Sequence, residues 1–160
     1  MKAITILKRC RSAKSDLARL DQQIGRWQDA LTGVSAPQAD PNGGSRGTGD
    51  PDKYGRIAGE IDQLEREKAA RKEAYAAEKV ASCALMGMLP DLEGKVVYDY
   101  YVRRWDTPEI ARKEKYTAGY VRKTKRAAEQ LLEMISRERV DATLPGWYLR
   151  KETEKGGGDE

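Results

Sequence analysis

Four cations lie within five residues at Arg122, Lys123, Lys125 and Arg126, and no acid occurs between Ala118 and Ala128. Ammonium and guanidinium groups displace condensed counterions from phosphates, and an arginine can also grip the edge of guanine with two parallel hydrogen bonds. Thr117 precedes the run and carries the hydroxyl that a helix N-cap needs, so a helix is expected to begin there with its free amides beside the cations. Thr117, Ala118, Gly119, Tyr120, Arg122, Lys123, Lys125 and Arg126 are then expected on its outer side. In that arrangement Thr117 and nearby amides meet a phosphate, Tyr120, Arg122 and Lys123 lie nearest base edges, and Lys125 and Arg126 reach phosphates.

Such a helix must be held outward by others. Thr107–Pro108 reads as the start of a shorter helix capped by Thr107, because proline at a first helical position has no N–H to lose. The interval to Thr117 fits a helix of two to three turns and a tight turn, which is the spacing of a helix-turn-helix. Ala111 is small enough for the crossing, and Ile110 and Val121 point into the shared core. Upstream, Pro90 starts a helix whose inner face is Leu92, Val96, Val97, Tyr100 and Tyr101. Arg103–Arg104–Trp105 close it, with the cations complementing its C-terminal partial charge and Trp105 plugging the core.

Leu89–Pro90–Asp91–Leu92–Glu93, Val96–Val97, Tyr100–Tyr101, Glu109–Ile110–Ala111, Thr117 and Val121–Arg122 together resemble region four of bacterial sigma factors. The whole layout is similar to sigma-like phage and prophage transcription regulators of the RinA and ArpU type. That resemblance implies an all-α protein that reads promoter-proximal double-stranded DNA and contacts the host RNA polymerase. Gly94, Glu114 and Lys115 depart from the pattern, Lys115 standing where the turn usually has glycine. Two other readings are a small terminase subunit, which also pairs such a module with helical oligomerisation, and a coiled-coil protein-interaction module.

The chain has 160 residues, 35% charged and 39% hydrophobic, with no Phe, a net charge of +4 and a pI near 9.0. Long helices that each bury one stripe suit so little apolar material, and the modest net charge means that basicity acts locally. The absence of His removes Ser-His-Asp and Cys-His catalysis and His-containing zinc sites. Gly43–Gly44–Ser45–Arg46–Gly47 lacks the Gly-Lys-Ser/Thr ending of a phosphate loop. No enzyme, metal or cofactor is therefore expected. With no long apolar run and no secretory leader, a cytoplasmic protein of a bacterial host cell is expected, without a membrane partner. Cys10 and Cys83 read as buried thiols on helical stripes.

From Ala3 the apolar residues Ile6, Cys10, Ala13, Leu17, Leu20, Ile24, Trp27, Leu31 and Val34 recur in steps of three and four, a heptad seam. Residues 36–52 hold three prolines and four glycines and read as a flexible loop. A second helix follows, with Tyr54, Ile57, Ile61 and Leu64 on its seam. Lys68 and Arg71 then fall on the seam, and the apolar contacts are expected to shift to Ala69, Tyr75, Ala76, Val80 and Cys83. The fold expected is all-α: a long helical hairpin (coiled coil) over 1–88, either intramolecular or completed by a second protomer in a homodimer, then the helix-turn-helix module over 89–139. The later stripe of Ala127, Ala128, Leu131, Leu132 and Ile135 is expected to pack on the hairpin or on a second copy. Residues 140–160 are expected to form a partly disordered tail whose Trp147–Tyr148 patch docks either on the protein's own core or on another protein.

Overall fold

A computed structural model of the chain describes residues 1–34 and 52–156. The protein is all-α, with seven α-helices and no strand among those residues: α1 (Ala3–Val34), α2 (Lys53–Met86), α3 (Asp91–Val97), α4 (Thr107–Glu114), α5 (Ala118–Met134), α6 (Arg137–Thr143) and α7 (Gly146–Gly156). α3 runs on as a π-helical turn over Tyr98–Val102. The expected loop at 36–52 lies outside the described residues except for Asp52. Two compact units form, one from Met1–Ser15 with Glu73–Glu160, the other from Asp16–Lys72. The division expected at residue 88 is therefore replaced: the start of α1 and the end of α2 pack with the chain that follows them.

In the smaller unit α1 and α2 run antiparallel. Leu20, Ile24 and Ile57 are buried, whereas Ile61 and Leu64 are half-buried and Trp27 and Tyr54 exposed. Where charged residues fall on the seam, they pair across it: Lys68 Nζ lies 2.7 Å from Asp21 and Arg71 Nη1 3.8 Å from Asp16. The heptad phase thus continues through Lys68 and Arg71. The expected shift fails at Ala69, Ala76, Val80 and Cys83, all of which are exposed.

The larger unit holds the main core. Ile6, Leu7 and Cys10 of α1, Ala81, Leu85 and Met86 of α2, Val97, Tyr101 and Val102, Ala128 and Leu132 of α5, and Val140, Leu144 and Tyr148 are buried together. The late stripe of α5 packs on α1 and α2 of the same chain. Leu131 is exposed, and Ile135 lies beyond the end of α5 yet packs against the core. Of the tail expected to be partly disordered over 140–160, the described residues up to 156 are largely helical. Ser136 caps α6 by accepting from the Arg139 N–H at 3.3 Å, and α7 brings the Tyr148 hydroxyl to Glu78, to which it donates at 2.7 Å. Trp147, on the other side of α7, is exposed. Cys10 is buried, and burial pushes its thiol pKa up, whereas Cys83 is exposed, against expectation.

The π turn lets the apolar residues of the first module helix meet this core. Five positions along an α-helix would turn a side chain about 140° away from its predecessor. In the wider turn, closed by the Arg103 N–H donating to the Tyr98 carbonyl at 3.1 Å, Val97 and Val102 are both buried. α1 supplies the cations that the carbonyls at this helix end attract. Arg11 donates to the Tyr100 carbonyl and Lys14 to the Arg103 carbonyl at 3.2 Å. Asp99, also buried here, pairs with Arg103 at 3.2 Å. Burial raises its pKa, Arg103 opposes the rise and Glu114 adds to it.

Candidate nucleic-acid interface

The helix that holds the basic one begins with a different cap from the one expected. Asp106, not Thr107, accepts from the Glu109 N–H at 2.8 Å, and Pro108 sits in the first turn. A carboxylate one residue earlier is the stronger acceptor for amides carrying partial positive charge, so Thr107 is taken into the helix. α4 ends at Lys115, whose φ of 58° and ψ of 39° are left-handed. Glycine is the usual residue for that conformation, and lysine holds it here because two N–H groups, of Lys115 and Tyr116, converge on the Ala111 carbonyl. The chain therefore breaks between α4 and α5. Thr117 restarts it as expected, its hydroxyl accepting from the Tyr120 N–H at 3.2 Å.

Ile110 and Ala111 of α4 and Val121 of α5 close with Val96 into a second buried cluster, with Trp105 and Ala118 packed against it. Trp105 is half-buried beneath two cations, Lys113 at 3.8 Å and Arg103 at 4.7 Å from the ring. Glu114, on a position usually apolar, is satisfied by an ion pair with Lys95. Gly94 lies inside α3, where a Cβ would make an ordinary contact at 3.4 Å with the Met86 carbonyl oxygen.

α5 divides sharply between its two sides. Val121, Thr124, Ala128 and Leu132 face inward, and Thr117, Gly119, Tyr120, Arg122, Lys123 and Arg126 are exposed. Arg122, Lys123 and Arg126 have no ion-pair partner among the described residues. Two of the expected outer residues are placed otherwise. Ala118 is half-buried against the small cluster. Lys125 lies to the side, 2.9 Å from Glu129 and 4.3 Å above the Tyr100 ring, because one helical step of about 100° separates it from Arg126. Tyr116, which sequence reasoning passed over, stacks obliquely on Tyr120 at 5.2 Å and extends the exposed surface at the turn.

Lys125 forms one wall of a groove of about 520 Å³, to which α1 contributes Lys8, Arg11 and Ser12. These α1 residues also escaped sequence reasoning, although cations spaced three apart and off the apolar seam were a usable signal. The Tyr101 hydroxyl donates to Glu129 at 2.6 Å beneath the groove. Burial and that bond push the tyrosine pKa up. Burial alone would raise Glu129, but its bonds from Tyr101 and Lys125 outweigh this and hold it below the usual carboxylate range. No protein family, curated protein or solved structure matches this chain. Among the described residues no group of three or more Cys, Asp or Glu is placed to hold a metal ion, and no helix is long and apolar enough to cross a membrane.

Proposed function

We propose that the protein binds double-stranded DNA, with α4 and α5 acting as a helix-turn-helix and α5 lying in the major groove. The observation that carries this reading is the exposed face of α5, with three cations, none paired by a described residue, on the side opposite its buried stripe. An α-helix fits the width of that groove, and unpaired cations bring their full charge to phosphates. Thr117 and the first amides of α5 position a phosphate. Gly119 lets the backbone approach closely, Tyr120, Arg122 and Lys123 face base edges, and Arg126 reaches a phosphate. Arg122 is assigned the guanine contact. The resemblance to sigma region four supports a role as a phage- or prophage-type transcription regulator, with a polymerase contact as part of that proposal.

Replacing Arg122, Lys123 and Arg126 together with Ala tests the reading. Retention of a labelled duplex, followed across a salt series, should weaken strongly, and the salt slope should become shallower by about 0.9 for each phosphate no longer neutralised. Affinity and slope equal to those of the parent chain would overturn the proposal. A parent chain that is not retained at low salt would favour a protein-interaction module instead.

A further inference from the structure

The groove between α1 and α5 is separate from the outward face of α5, and cations outnumber acids in its lining by three to one. Its open lining contains Lys8 and Arg11 of α1 and Lys125 of α5, against the single carboxylate of Glu129. Arg11 is preset: its guanidinium lies 4.0 Å from the Tyr100 ring centroid and donates to the Tyr100 carbonyl, so little rotamer freedom remains to be lost on binding. Lys8 and Ser12 are exposed and bring an ammonium group and a hydroxyl donor to the same edge.

The position of the groove identifies its occupant. Arg122, Lys125, Arg126 and Glu129 stand at i, i+3, i+4 and i+7, which on a helix is one continuous stripe. The stripe begins on the exposed basic face and ends in the groove wall. A duplex seated on Arg122 and Arg126 would therefore bring one sugar-phosphate strand alongside Lys125, Lys8 and Arg11. We propose that this groove holds a phosphodiester strand of the bound duplex, which makes α1 a second DNA-contacting element and Glu129 a brake on it. The proposal rests on α5 being the DNA-reading helix. The contact is to backbone only, so it adds affinity and salt dependence without sequence preference.

Two single substitutions in the full chain test it, measured by titrating a labelled random-sequence duplex across a salt series. Lys8→Ala should weaken binding and make the salt slope shallower by about 0.9, equally for every duplex sequence. Glu129→Gln keeps an acceptor for Tyr101 but frees Lys125, so it should tighten binding and steepen the slope. A merely structural role would not produce that gain. Thermal melting by circular dichroism checks the fold, and if Glu129→Gln melts early the Lys8→Ala slope decides. If Lys8→Ala matches the parent in affinity and slope while the Arg122, Lys123 and Arg126 triple variant loses binding, the groove proposal fails and the α5 reading stands. A parent chain that does not bind overturns both.

Discussion

The two compact units use the same pair of long helices differently. Among the described residues of Asp16–Lys72, α1 packs on α2: three residues are buried, others on the seam are half-exposed, and ion pairs take two of the seam positions. In the larger unit, the beginning of α1 and the end of α2 also meet the π turn, α5, α6 and α7, and positions such as Ile6, Leu7 and Leu85 are fully enclosed. Most of this two-helix seam stays partly open to water, whereas further neighbours close the larger core. Burial of comparable apolar residues should therefore stabilise the two regions by different amounts.

The largest expected effect sharpens that contrast. Leu85→Ala should destabilise the protein by about 3 kcal/mol, since it leaves a cavity among residues that cannot collapse, whereas Leu64→Ala should cost about 1 kcal/mol. Urea midpoints at an unchanged slope would read both losses, and equal losses would break the comparison. Tyr148→Phe comes next. It keeps the ring in the larger core but deprives half-buried Glu78 of its donor, for an expected loss of about 1 kcal/mol in the same assay. The smallest effect belongs to the smaller unit. Lys68→Ala should leave the midpoint unchanged within error, because the Lys68–Asp21 pair is solvated, and a clear loss would mean that its ion pairs take the place of a core.

Much of this arrangement was legible in local sequence. The start of α5 at Thr117 followed from one hydroxyl and the run after it, and the inward positions Ile110, Ala111 and Val121 from helical spacing. The α1 seam from Ala3 to Ile24 was likewise set by period alone. What escaped depended on neighbours remote in sequence. Lys125 looks like part of the basic face, but it stands one helical step aside from Arg126, where the remote Tyr100 ring meets it. Residues 140–156 read as a tail because α6 and α7 are short and their burial depends on Glu78, Arg9 and the α1 start, with Arg9 paired to Glu152 at 2.9 Å. Thr107 was expected as the cap of α4, and the structure gives that role to the carboxylate one residue earlier. The continuation of the α2 seam through Lys68 and Arg71 was obscured because those residues are charged, although their phase was correct.

The π turn has a consequence for tracing kin of this chain. Val97 and Val102, five apart, are both buried across this one π turn, with Asp99 and Tyr101 buried between them, so a pattern built strictly on 3.6 residues per turn slips register at this point. Removing one residue from Tyr98–Val102 would hardly alter composition, yet it would swing the downstream backbone by about 100° and detach the Arg11 and Lys14 anchors from their carbonyls. Distant relatives should therefore preserve the length of this segment more strictly than its side chains.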